Sequence, residues 1–200
     1  MTTLVFMLEE PSARDLLEGL LPQLIPEALA KLDIRFIVFE GKQDLEKRMP
    51  IRMQAWRAPD SHFVVLRDQD SADCEEVKQH LVELAQTAGR GDALIRVACR
   101  ELESWVVGDW TALAEAFAMP ALARQANKRK FRDPDALHSP VTELRRHIAE
   151  YQKRDGARRV GPLLDPERNS STSFRVFCSG LKALALRILA SEADKESEGS

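Results

Sequence analysis

Cysteine is scarce: 200 residues carry three, Cys74, Cys99 and Cys178, with no CxxC spacing. An odd number of widely spaced thiols argues against a disulfide framework or a structural zinc site and for a reducing compartment. Aromatic residues make up only 6%, with one tyrosine. No hydrophobic run approaches the length of a membrane span, and MTTLVFMLEE meets two glutamates too early for a signal peptide. The expectation is a cytoplasmic chain. Charge of one sign is also missing, since 29 Lys and Arg face 32 Asp and Glu for a net charge of −3. That balance excludes a globally basic nucleic-acid coat but leaves room for a local basic face. An apolar share of 44% is enough for a sizeable core.

The first hundred residues alternate between two hydrophobic periods. Short runs at Thr3–Leu8, Ile34–Phe39, His62–Leu66 and Ala93–Ala98 are rich in β-branched and aromatic residues and read as strands. Helical patterns lie between them. Ser12 caps a helix over Ala13–Leu21 that Pro22 and Pro26 interrupt, and Asp44–Trp56 is a weaker helix containing Pro50. The clearest stripe is Cys74, Val77, Leu81, Leu84, Ala85 and Ala88; Asp73 with Glu76 suits a capping box, and Gly89 stops the helix. Such alternation predicts an α/β fold, a parallel sheet of about four strands flanked by helices.

After Cys99 the pattern turns helical, over Arg100–Val107, Trp110–Ala118, Val141–Lys153 and about Ser173–Leu189. The division read from the sequence is an α/β domain over 1–118, a basic, mostly helical extension over 119–190 packed on it, and a disordered acidic tail over 191–200. Residues 121–168 hold 12 Lys or Arg against 7 Asp or Glu, a local +5 that leaves −8 elsewhere. A solvated face and a binding face explain that excess about equally well.

Ligands of parallel α/β sheets bind beyond the carboxyl ends of the strands, and three of the four strands run into acid there. The first meets Glu9 and Glu10, the third meets Asp68 and Asp70, and Glu103 follows the fourth. Residues two apart on an extended segment point the same way, so Asp68 and Asp70 are expected side by side. Such carboxylates repel unless a cation lies between them, and hard oxygens suit Mg²⁺ or Mn²⁺. Each acid has a plain alternative, as a helix-start residue or a solvated neighbour; the metal reading rests on their convergence. A receiver domain needs a lysine after a later strand, where Arg100-Glu101 stands. Haloacid-dehalogenase phosphatases carry DxD after the first strand, so neither pattern fits.

An acid after strand one and DxD after a later strand form the Toprim pattern of topoisomerases, primases and overcoming-lysogenization-defect nucleases. The chain resembles a narrower branch over about residues 3–189. LEEPSARDLLEGLLPQLIP is similar to a "VEGxTE…LLxxLLP" opening, and VVLRDQDSADCEEVKQHL to a "DxDxxDC" strand and helix. CRELESWVVGDWTALAEAF is similar to "xxExWLLAD…AL", and SSTSFRVFCSGLKAL to "SxSFxxFxxxL". That branch is a Toprim-like family found beside ABC-type ATPases in bacterial defence loci, including the nuclease effector of PARIS-type anti-phage systems. The resemblance implies a Mg²⁺-dependent nuclease controlled by an ABC-type ATPase, and it is compatible with a homodimer.

On that reading Glu9, Asp68 and Asp70 are catalytic, and Glu9, Asp68, Asp70 and Glu103 hold the metal. Lys128, Arg129, Lys130, Arg158 and Arg159 would grip the nucleic-acid backbone. Glu10 departs from the family, which has Gly there, and either crowds the loop or adds a fifth carboxylate. The alternative from another class is a non-catalytic interaction subunit docking on an ATPase through exposed Trp110, Phe131, Phe174 or Phe177.

Overall fold

In the computed structural model, which describes residues 2–198, β1 (Thr3–Leu8) is buried at every position. Its neighbours are β2 (Asp33–Val38) and β3 (Ser61–Asp68), and β3 also pairs with β4 (Leu94–Ala98), all parallel in the order β2-β1-β3-β4. Side chains alternate across the pleat. Val5, Met7, Phe63 and Val65 meet Leu45, Met49 and Met53 of α3 (Lys42–Ala55) and Val77 and Leu81 of α4 (Cys74–Thr87). Leu4, Phe6, Leu8, Val64 and Leu66 face the opposite layer, which begins with α1 (Pro11–Leu24) and α2 (Pro26–Lys31). Covering on both faces is why these strands read as continuous apolar runs.

The opposite layer is completed from the second half of the chain. It contains α5 (Glu103–Val107), α6 (Trp110–Ala116), α7 (Pro140–His147), α8 (Lys153–Val160) and α9 (Thr172–Glu198), with short 3₁₀ turns between α6 and α7. One cluster of buried side chains runs from β1 through Trp105, Phe131 and Tyr151 to Phe174, Phe177 and Leu181, so the basic extension shares the core of the sheet. Among the described residues no helix is long and apolar enough to cross a membrane.

Several expected boundaries move for local reasons. Pro11 takes the first helical position, which its fixed φ suits, so α1 starts before Ser12 and Ser12 caps nothing. Pro22 stays inside α1 on its solvent face, and Pro26 opens α2. The capping of α4 holds, with Asp73 accepting from the N–H groups of Glu75 (2.8 Å) and Glu76 (3.1 Å). The helix expected over Val141–Lys153 is two helices. Residues 148–152 turn between them so that Ile148 and Tyr151 reach the core, and the Tyr151 ring lies where a Cβ on Gly156 would stand. The tail read as disordered continues α9 to Glu198, with Thr2 donating to Glu192 (2.7 Å) and Lys195 paired to Asp60 (3.0 Å); residues 199 and 200 lie outside the described residues.

Close approach of the extension to α1 sets a steric test. A Cβ on Gly161 would sit 2.5 Å from the Leu16 carbonyl oxygen, and backbone cannot yield as a flexible side chain can. Gly161→Ala is expected to cost about 1–3 kcal/mol in urea unfolding. Gly91→Ala, whose nearest atom is a Gln86 side-chain carbon at 3.5 Å, should stay within about 0.5 kcal/mol.

Candidate functional site

The strand order creates a crevice. From β1 the chain crosses to β2 on one side, and from β3 it crosses to β4 on the other, so the loops leaving β1 and β3 diverge. Ligands of open parallel sheets bind at such a switch point. Register pairs Leu8 with Leu66, and the residues just beyond them are therefore neighbours. Glu9 accepts a hydrogen bond from the Asp68 backbone N–H at 2.9 Å through Oε2, which also lies 3.9 Å from Arg67 Nε. Arg67 is buried and pairs with Glu46 at 2.8 Å.

Asp68 ends β3 and Glu103 opens α5, and both are buried. A cation from far along the chain enters between the acids. Lys153 Nζ, at the start of α8, lies 3.0 Å from Glu103 Oε2, 3.7 Å from Glu101 Oε2 and 3.8 Å from Glu10 Oε1. Ser12, expected as a cap, instead gives its hydroxyl hydrogen to Glu10. Glu10 therefore joins the acidic group rather than blocking it.

The extended geometry behind the DxD argument does not reach Asp70. The extended backbone ends at Asp68; Gln69 N–H donates to the Ala98 carbonyl (2.9 Å), and Asp70 turns into the left-handed region at φ +58°. Its carboxylate pairs with Lys42 at 2.7 Å. Asp70 N–H donates to the carbonyl of Arg100 (2.7 Å), itself at φ +64°. Two strained non-glycine residues at the ends of neighbouring strands are of the kind that gathers at functional sites. They line a cleft of about 350 Å³ with Lys42, Ser71, Glu101, His138 and Ser139.

Burial and like charge act together on the acids. Burial first, then Glu10, Glu103 and Glu9, push Asp68 well above the usual carboxylate range against the pull of Lys153. Burial lifts Glu103 to about 7, again opposed by Lys153 and helped by Glu101 and Glu10. Glu9 is raised by burial, with the Asp68 N–H opposing and Asp70 adding. Burial disfavours the Lys153 ammonium, but Glu103 and Glu10 more than offset that and hold it charged. The Tyr151 hydroxyl beside these carboxylates is buried without a hydrogen-bond partner, and its pKa is raised. One buried oxygen of Glu103 also lacks a regular hydrogen bond, although Lys153 is at ion-pair distance. Among the described residues no three His, Cys, Asp or Glu side chains are grouped to hold a metal ion as they stand.

Of the five basic residues expected to grip a backbone, three make ion pairs. Lys130 pairs with Glu143 (2.6 Å), Arg158 with Asp15 (3.5 Å) and Arg159 with Asp155 (2.8 Å). Lys128 and Arg129 make no ion pair among the described residues. Asp15 also accepts two bonds from Arg154 (2.6 and 3.1 Å), so two of the basic residues dock the extension on α1. Sequence reasoning missed Lys153, Tyr151, Arg67 and Lys42 as parts of the site. Only Arg67 carried a local signal, a charge inside the apolar run HFVVLRD.

These features define an α/β protein whose carboxylates crowd the switch point of a four-stranded parallel sheet. Residues 8–182 match the family described as a domain of unknown function (DUF4276), and the chain belongs to that family. No curated protein and no solved structure matches it.

The raised acids fix a pH dependence. Protons that Asp68 and Glu103 hold in the folded chain are released in the unfolded one, so their contribution to stability is full below about pH 4; that of Glu103 is lost as pH rises through about 7, and that of Asp68 as pH rises through its own raised pKa. In chelator-treated protein, Asp68→Asn should flatten that decline. It should also raise the melting temperature at pH 7.5 by roughly 2–4 °C, the shift of about 1 kcal/mol at this chain length. An unchanged slope would show that the carboxyl of Asp68 is not under this strain.

Proposed function

We propose that the chain is a Mg²⁺-dependent nuclease that cleaves phosphodiester bonds of DNA or RNA. In this reading it is a latent effector of anti-phage defence released by a partner ABC-type ATPase, as the Toprim resemblance implies. The observation that carries the metal part is the convergence of Glu9, Asp68, Glu10 and Glu103 at the switch point with too few cations to balance them. The buried Glu103 carboxylate and an all-oxygen donor set suit a hard divalent ion. Glu9, Asp68 and Asp70 are the residues to hold it, with one oxygen of Glu103 shared with Lys153. Such an ion neutralises phosphate charge and stabilises the attacking and leaving oxygens.

The chain's own groups divide the remaining work. Arg67 and the Asp68 N–H orient Glu9 through one oxygen, which leaves the other for proton transfer. Lys42 and Arg100 line the cleft beside Asp70 and supply positive charge for a phosphate. Lys128 and Arg129 remain the candidates for holding a backbone beyond it. Asp70 is tied to Lys42 and turned from Asp68, an arrangement that suits a latent site, because bringing the two carboxylates together requires breaking that pair.

No observation favours the interaction subunit, since Trp110, Phe131, Phe174 and Phe177 are all core residues. Glu9 is turned toward β3, as the enzyme requires.

Millimolar Mn²⁺ is expected to stabilise the wild type by about 2.7 kcal/mol where it reaches a hundred times its Kd, and not to stabilise Asp68→Asn. With its cognate ATPase triggered, the wild type should cleave nucleic acid, and Glu9→Ala and Asp70→Ala should each reduce the rate at least about a hundredfold. Equal cleavage by wild type and both variants would refute the assignment.

A further inference from the structure

The Lys153 contacts have a geometry of their own, apart from the Glu9–Asp68 pair. Three carboxylates from two separate loops converge on one ammonium: Glu10 after β1, and Glu101 and Glu103 at the start of α5. One ammonium thus faces three carboxyl groups. One buried polar atom here, the Tyr151 hydroxyl, has no hydrogen-bond partner among the described residues, and the tyrosine is only 1% exposed. Of the charged groups, Glu103, Glu101 and Glu10 act on it most. An orphaned hydroxyl of this kind costs free energy unless a polar group or an ion reaches it.

The ammonium's ion pairs among the described residues are with these acids. It is the first residue of α8, where the partial positive charge of a helix N-terminus disfavours an ammonium. Its side chain is 33% exposed, so its flexible stem has a route to solvent. A compact monovalent head among hard oxygens stands where a small divalent ion would find carboxylate and hydroxyl ligands.

We infer that Glu10, Glu101, Glu103 and the Tyr151 hydroxyl form a second divalent-cation pocket, which the Lys153 ammonium fills in the resting chain. Departure of the lysine opens that pocket to Mg²⁺ or Mn²⁺; while it is seated, the chain takes up at most the ion of the Glu9–Asp68 site. The inference extends the metal reading above but fails separately from it.

Counting Mn²⁺ per chain by calorimetry and by the loss of the free-ion paramagnetic signal at pH 7.5 tests it. Lys153→Met should bind one Mn²⁺ more than wild type, Lys153→Arg the same number as wild type, and Lys153→Met with Glu101→Gln should lose most of the added affinity. An unchanged count in Lys153→Met with a cooperative melt overturns the inference. Should Lys153→Met lose its cooperative melt, Mn²⁺ is expected to restore it by replacing the missing cation, and failure to do so also overturns it. Wild type binding none while Lys153→Met binds one would remove the Glu9–Asp68 reading and leave this one standing. One ion in each would do the reverse.

Discussion

Carboxylates repel across a few ångströms of protein, and burial strengthens the repulsion by removing the water that would screen it. At the carboxyl edge of this sheet Glu9, Glu10, Asp68, Glu101 and Glu103 stand around one ammonium and one guanidinium. The fold tolerates that crowding through three devices. A backbone N–H fixes Glu9, Lys153 is carried in on α8, and protons stay on the most buried acids. Much of the second half of the chain serves to hold Lys153 in place. Asp15 on α1 anchors Arg154 beside it, Gly161 lets the chain close on Leu16, and Gly156 leaves room for the Tyr151 ring.

A second set of contacts fixes α5, and with it Glu103. Trp105 is fully buried against Phe174 and Phe177, and its indole N–H donates to Ser173 Oγ at 2.9 Å. Asp135 receives the hydroxyls of Ser171 (2.7 Å) and Ser173 (3.1 Å), while Asn169 donates to the Trp105 carbonyl (2.7 Å). Asn169 stands so close to Gly108 that no side chain fits there. Asp109, buried, caps α6 and accepts from Arg168 Nε and Nη2, each at 2.8 Å. The SSTSF segment and the Trp105–Asp109 segment thus form a latch. Their part in the site is to hold the start of α5 against the end of β4, where Ser104 also donates to the Cys99 carbonyl (2.6 Å).

What could be read from the residues was what neighbours in sequence dictate. Period-two runs became four parallel strands, Asp73 became the cap of α4, and acids placed after strands fell at the carboxyl edge because a strand's end follows from its length. The weaker readings failed where a local rule met a competing local fact. Pro11 outranked Ser12 as a helix start, and the turn at Asp70 ended the extended geometry on which the DxD argument relied.

Local pattern therefore determined the class of fold, the strands and which acids reach the edge, since hydrophobic period and capping act over a few residues. Tertiary structure alone decided that β1 and β3 are neighbours, so that Glu9 meets Asp68, and that Asp70 turns away to Lys42. It also decided that Lys153, counted with the basic residues of a surface stretch, lies among Glu10, Glu101 and Glu103. Strand order and long-range ion pairs depend on how whole layers pack, and no period or spacing along the chain records which charge a helix will carry to which strand end.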